Sequence, residues 1–93
     1  ANDVSDIVNV TRGSLQDVTG RYDLVVVNIL ARVIVDMLRG GLESRVRPGG
    51  KMVAAGIIID QETHVIEALE QGKFALSERQ QRGDWVCLVA ERI

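Results

Sequence analysis

Asn28 is the residue whose type and position are best suited to binding a ligand. It ends a run of consecutive apolar residues that begins at Leu24 and is typical of a strand buried on both faces. Ligands of α/β folds bind beyond the carboxyl ends of the strands, and a carboxamide there offers an acceptor oxygen and two N–H donors. The alternative is that Asn28 only caps a helix that begins near Leu30. The sequence leaves both interpretations open.

Residues near two other predicted strand ends are further candidates for binding a ligand. Ser14 and Leu15 follow a short strand from Ile7 to Thr11 and lie in a turn after Gly13. Gly56 lies near the end of a later strand, where a glycine allows a ligand to approach the backbone closely. An inert glycine at that position is an equally good interpretation.

The sequence gives little support for metal or nucleophilic chemistry. His64 has no second histidine and no nearby cysteine, so we expect an exposed helix residue and no metal site. Cys87 lies between Val86 and Leu88 and is expected to be a small core residue, because no base is near it in the pattern. Trp85 is expected to pack on the sheet, with stacking on a ligand as the alternative.

The basic residues in the middle of the chain predict a solvated face. Acidic residues are interleaved with this cluster, which consists of Arg39, Arg45, Arg47 and Lys51. The net charge of −2 and the three aromatic residues also argue against direct nucleic-acid binding. RNA contact through the arginine-rich helix end remains a distant alternative.

These candidates need a sheet to position them. The pattern predicts a strand from Asp23 to Asn28, followed by a helix from Leu30 to Val46, whose apolar residues recur every three or four positions. Gly40 and Gly41 allow a break in that helix, and Pro48 is expected to end the element.

The second half of the chain predicts a strand, a helix and a hairpin. A buried strand runs from Lys51 to Ile59, and Asp60 is expected to be the N-cap of a helix that Gly72 ends. Two further strands, from Phe74 to Gln80 and from Trp85 to Glu91, are joined by a short polar loop and form an antiparallel hairpin. The strand–helix–strand unit before them should have parallel strands and a right-handed crossover.

Length and composition limit the class of protein. A chain of 93 residues forms one domain, and its 46% hydrophobic content is sufficient for a core. A single cysteine excludes a disulfide framework. No apolar run approaches the roughly 18 residues of a membrane helix, and no leader pattern opens the chain, so the expected location is the cytoplasm.

The order of elements resembles part of a known fold. It is similar to the C-terminal half of a Rossmann-like class I S-adenosylmethionine-dependent methyltransferase fold, in which the seventh strand runs antiparallel between the fifth and sixth. The expected fold class is therefore α/β, a parallel βαβα unit followed by an antiparallel β-hairpin. Four segments narrow the resemblance to the PrmA family, whose members methylate the eleventh large-subunit ribosomal protein. These segments of the present sequence are residues 22–30 (YDLVVVNIL), 47–51 (RPGGK), 55–57 (AGI) and 83–86 (GDWV).

The resemblance implies roles for the candidate residues. Asn28 would accept hydrogen bonds from the amine to be methylated and would lie beside S-adenosylmethionine. Ser14 or the backbone of Leu15 would contact the adenine of this cofactor, with a plain turn as the alternative. The substrate protein would contact Ile29, Leu30 and Gly56. No metal is implied.

The resemblance also implies that residues 1–93 are the C-terminal part of a longer catalytic domain. The sequence has no glycine-rich cofactor turn after a first strand, and no N-terminal substrate-recognition domain. We therefore expect the isolated chain to be inactive. The strand from Ile7 to Thr11 would be separated by two missing strands from the strand ending at Asn28. It must pair elsewhere, fray or shift into the vacancy.

A second hypothesis is a non-enzymatic α/β association module. Without the two missing strands, one side of the strand from Leu24 to Asn28 would be an uncovered apolar edge. Such an edge predicts a homodimer or a strand-exchanged oligomer of this chain.

Overall fold

The computed structural model describes residues 7–11 and 20–93. The described residues form five strands, two α-helices and two short 3-10 turns. In chain order these are β1 (Ile7–Val10), β2 (Tyr22–Asn28), α1 (Ala31–Arg39), a 3-10 turn (Leu42–Arg45), β3 (Val46–Ile58), a second 3-10 turn (Ile59–Gln61), α2 (Glu62–Gln71), β4 (Phe74–Arg82) and β5 (Trp85–Arg92).

The described strands form one sheet in the order β1-β2-β3-β5-β4. Strands β1, β2 and β3 are parallel neighbours, whereas β5 runs antiparallel to both β3 and β4. The predicted parallel βαβα unit followed by an antiparallel hairpin is therefore confirmed. The last strand lies between its two neighbours, so β4 lies at the edge of the sheet.

Helix α1 is shorter than predicted. It ends at Arg39, because Gly40 and Gly41 follow and Gly41 adopts a left-handed conformation with a φ of 102°. A 3-10 turn then leads into β3, which begins at Val46 and includes Pro48. The prediction of one helix as far as Val46 is wrong, and the break at the two glycines is confirmed.

The start of helix α2 also differs from the prediction. Asp60 lies inside the 3-10 turn, and the N-cap residue is Gln61, which makes no capping hydrogen bond through its side chain. The predicted stop is confirmed, because the Gly72 N–H donates to the Ala68 carbonyl at 2.9 Å as the helix ends.

The core alternates along the strands. Every second residue of the central strands is fully buried beneath the helices, as Val25, Val27 and Met52 illustrate. The residues between them, such as Val26 and Val53, are half-buried. The two helices pack against each other, α1 also contacts β3, and α2 also contacts β4, so both helices lie on the same face of the sheet.

Strand β1 pairs directly with β2. The register runs from Ile7 opposite Leu24 to Val10 opposite Val27. The sequence left three outcomes open for this strand: pairing elsewhere, fraying, or a shift into the place of the two missing strands beside β2. The structure shows the third outcome. The uncovered edge expected for β2 is therefore absent, because backbone hydrogen bonds to β1 and β3 occupy both of its sides.

Candidate active site

The carboxyl ends of the parallel strands meet at one edge of the sheet. Thr11 follows β1, Asn28 ends β2 and Gly56 lies near the end of β3. The antiparallel strand β5 contributes its first residue to the same edge, because it runs in the opposite direction. Trp85 pairs with Ile58, and the Ile59 N–H donates to the Asp84 carbonyl at 2.8 Å. The sheet therefore brings residues from four strands together.

These residues line a cavity of about 680 Å³. Among the described residues, those that line it are Thr11, Asn28, Ile29, Leu30, Val33, Gly56 and Trp85. The volume lies within the roughly 300–1,000 Å³ that is usual for a small-molecule site. Most of the lining is apolar, so the few polar groups determine how a ligand is oriented. The structure thus brings together four residues that the sequence singled out: Asn28, Ile29, Leu30 and Gly56.

Asn28 presents a free carboxamide to this cavity. Its side chain is exposed and makes no hydrogen bond with the described part of the chain. The N-cap residue of helix α1 is Leu30, and no side chain caps that helix. The Leu30 carbonyl accepts hydrogen bonds from the N–H groups of Val33 and Ile34 at 2.9 and 3.1 Å. The interpretation of Asn28 as a helix cap is therefore wrong.

Gly56 lies against Asn28. A Cβ atom built on Gly56 would be 2.8 Å from the Oδ1 atom of Asn28, which is closer than real Cβ atoms approach oxygen. The backbone of Gly56 has a φ of 74°, in the left-handed region that favours glycine. The conformation therefore favours glycine, and any larger residue at this position would displace the Asn28 oxygen.

The position of Trp85 differs from the sequence-based expectation. Its side chain is 58% exposed, so it is not packed into the sheet. Trp85 and Gly56 also line an adjoining cavity of about 560 Å³ on the hairpin side. The strand order predicted from the resemblance already implied that Trp85 lies near the cavity. Trp85 is the first residue of β5, and an antiparallel strand begins at the edge where its parallel neighbours end.

The remaining candidates lie elsewhere or outside the described residues. Ser14 and Leu15 lie outside the residues that the structure describes. His64 is exposed, as expected, and its Nδ1 lies 3.1 Å from Oε1 of Gln61. Cys87 is a half-buried free thiol that lines the adjoining cavity. No group of three or more His, Cys, Asp or Glu side chains suited to a metal occurs among the described residues.

The basic cluster does not form a continuous cationic face. Arg47 pairs with Asp23, with 3.2 Å between Nη1 and Oδ1. Arg39 lies in a groove between the helices that also contains Asp36 and Glu67. Mixed charge of this kind is typical of a solvated surface.

Comparison with known proteins identifies the family. Residues 1–93 match the family described as ribosomal protein L11 methyltransferase (PrmA). The chain belongs to this family. Among the curated ribosomal protein L11 methyltransferases, the protein of Geotalea uraniireducens is 41% identical over 87 residues, and that match covers 94% of this chain and 27% of the relative. The corresponding protein of Bacillus subtilis is 38% identical over 92 residues, covering 98% and 29%.

The chain thus spans little more than a quarter of the length of these curated relatives. A crystal structure of a ribosomal protein L11 methylase from Lactobacillus delbrueckii subsp. bulgaricus matches with a TM-score of 0.77 and 29% identity, covering 88% of this chain and 43% of that one. The fibrillarin pre-rRNA processing protein of Methanococcus jannaschii matches with a TM-score of 0.66 at 15% identity, covering 82% and 39%, which shows a shared fold alone. The predicted class I methyltransferase half-fold is confirmed.

Proposed function

We propose that this chain is the substrate-side part of an S-adenosylmethionine-dependent enzyme that methylates amine nitrogens of ribosomal protein L11. The observation that carries the proposal is the Asn28 carboxamide that lines the cavity without a hydrogen bond to any described residue, in a member of this family. A polar group without a partner, among apolar lining residues at the carboxyl edge of a sheet, is suited to orient a ligand.

Asn28 is suited to orient an amine but not to deprotonate it. Its Oδ1 atom can accept a hydrogen bond from an amine N–H, which would leave the nitrogen lone pair directed at the methyl group. A carboxamide does not take up a proton, so the amine must enter in its neutral form. The nitrogen forms the new N–C bond, and its surplus proton then passes to solvent.

We infer that the described lining faces the reacting end of the cofactor. S-Adenosylmethionine supplies the methyl group and becomes a thioether. Asn28 would lie beside the methyl donor, whereas Ile29, Leu30 and Gly56 would contact the substrate and exclude water. Contacts of Ser14 and Leu15 with adenine are part of the proposal and rest on the resemblance. No metal takes part in the proposed reaction.

The groups that hold the ribose and the methionine moiety belong, in this proposal, to a longer domain of which residues 1–93 are the C-terminal part. The isolated chain would then be inactive. Neither described helix has the length and apolar composition needed to span a bilayer. We place the enzyme in the cytoplasm, where its ribosomal substrate is made.

No observation of comparable weight supports the hypothesis of a non-enzymatic association module. It required an uncovered edge on β2, and β1 occupies that edge. The homodimer therefore stays a prediction of the sequence.

Methyl transfer in the protein expressed from its intact gene tests the proposed function. With labelled S-adenosylmethionine and ribosomal protein L11, we expect transfer by the wild type. We expect Asn28→Ala to lower kcat about 100-fold, because an amine that is no longer oriented reacts less often. Asn28→Asp, which keeps an acceptor oxygen, should retain more activity than the alanine variant.

Asn9→Ala is the matched control, because Asn9 is an exposed carboxamide on β1 that does not line the cavity. It should remain within twofold of the wild type. A full rate in Asn28→Ala, or the absence of cofactor binding to the wild type in calorimetry, would contradict the proposal.

A further inference from the structure

We propose that Gly56 is a positioning residue that sets the orientation of the Asn28 carboxamide. The space that a side chain would fill at Gly56 is occupied by the carboxamide oxygen of Asn28. This inference rests on the proposed function of Asn28. It adds to the proposed substrate contact of Gly56 an effect on kcat that is exerted through Asn28.

A β-bulge brings Gly56 into this position. Ala54 pairs with Leu88 and Ile57 pairs with Val86, so two residues of β3, Ala55 and Gly56, lie opposite Cys87 alone. The backbone of Asn28 is held separately, because Asn28 pairs with Ala55 in the parallel register of β2 and β3. The bulge therefore includes Ala55, the residue that pairs with the main chain of Asn28. Bulges next to active sites commonly redirect a side chain.

The contact involves the oxygen end of the carboxamide. A Cβ on Gly56 would lie 2.8 Å from Oδ1 of Asn28 but 4.0 Å from its Cγ. A methyl group there would make the oxygen move, and rotation about the side-chain bonds is the easiest movement for a short, exposed asparagine. The main chain would keep its register while the acceptor turned away from its present direction.

Gly56 differs in this respect from the other described glycines with positive φ. Gly20, Gly41, Gly49 and Gly83 also have left-handed conformations, but a Cβ on any of them would meet no atom within 4 Å. Replacement of Gly41 by alanine therefore introduces a similar backbone penalty without a steric one. Gly41 lies at the end of helix α1 and does not line either of the two adjoining cavities.

Steady-state kinetics of the intact gene product provide the first test. We expect Gly56→Ala to lower kcat for methyl transfer to ribosomal protein L11 by 10- to 100-fold, because a displacement of about 1 Å at a reacting group costs about that much. The KM values should change less than threefold, since the lining is otherwise kept. Gly41→Ala should stay within twofold of the wild type. Equal kcat losses in the two alanine variants would overturn the proposal.

The double variant distinguishes positioning from a general structural role. If Gly56 acts through Asn28, adding Gly56→Ala to Asn28→Ala should leave the residual rate unchanged within twofold. Multiplication of the two losses would overturn the proposal. If Gly56→Ala alone fails to fold, Asn28→Ala in the same chain should restore soluble protein, and equal failure in both backgrounds would contradict the inference.

A crystal structure of the Gly56→Ala protein separates this inference from the proposed function. We expect the Asn28 Oδ1 atom to be displaced by about 1 Å or more, with the β2–β3 register unchanged. An unmoved oxygen would overturn the positioning role while leaving the function of Asn28 intact. Full activity of Asn28→Ala would instead remove the proposed function, whatever Gly56 does.

Discussion

At the scale of single residues, the site combines one directional polar group with a permissive neighbour and an exposed ring. The carboxamide of Asn28 offers hydrogen bonds, Gly56 leaves it room, and Trp85 lines the same cavity. An indole that is 58% exposed carries a hydrophobic cost in water. Covering it on substrate binding would recover that free energy.

Trp85 should therefore act mainly on substrate binding. We expect Trp85→Ala to raise the KM for ribosomal protein L11 about tenfold and to change kcat less than the Asn28 variant does, because an apolar wall contributes to binding before the reaction. Initial rates at varied L11 concentration measure both values. Trp85→Phe, which keeps an aromatic face, serves as the control and should lie between the two. An unchanged KM in the alanine variant would show that the substrate does not contact this ring.

The sequence indicated Asn28 and several residues that line the same cavity, but not the contacts between them. A carboxamide that directly follows an apolar run indicates a strand end, and strand ends of α/β sheets are where ligands bind. The contact between Asn28 and Gly56 depends on a bulge that no local pattern indicates. The exposure of Trp85 depends on strand order, because a tryptophan in an alternating strand is otherwise expected to be buried.

At the scale of elements, an ion pair connects helix α2 to β4, the edge strand of the sheet. Arg79 of β4 donates from Nε and Nη2 to the two carboxylate oxygens of Glu62, in the first turn of α2. The hydrogen bond from Arg79 lowers the pKa of the Glu62 carboxyl below its ordinary value of 4.5. Because the ionised form is favoured in the folded state, the pair stabilises the protein fully above pH 4.5. Its contribution is lost as the pH falls through the lowered pKa.

The pH dependence of thermal stability tests this ion pair. We expect Glu62→Gln to lower the unfolding midpoint slightly at pH 7, because exposed pairs contribute little. The difference from the wild type should shrink as the pH falls below 4.5. Glu67→Gln is the control, since Glu67 lies on the same helix without an ion pair to any described residue. A difference that stays constant down to pH 2.5 would contradict the role of the carboxylate.

The elements were predicted better in type than in length. Apolar periodicity indicated both helices, and runs of consecutive apolar residues indicated the parallel strands, because burial imposes both patterns directly. The helical periodicity was the less exact guide to length. It also continued past Gly41, since Leu42 and Val46 are fully buried, although they belong to a 3-10 turn and a strand. Burial at helical spacing therefore extended the predicted helix beyond its real end.

At the scale of the whole molecule, the described sheet has one face covered by helices and one without them. The open face carries half-buried apolar residues on its central strands, among them Leu24, Val26, Val53 and Val89. Parallel strands of α/β proteins are usually covered on both faces. The chain spans 27% of the length of its Geotalea relative.

The central claim is that the Asn28 carboxamide orients the amine that receives the methyl group. The most direct test is a crystal structure of the intact gene product with a cofactor analogue and a peptide of ribosomal protein L11 bound. We expect Oδ1 of Asn28 to accept a hydrogen bond of about 3 Å from the target nitrogen. A target nitrogen bound at another edge of the sheet, or held without contact to Asn28, would contradict the account.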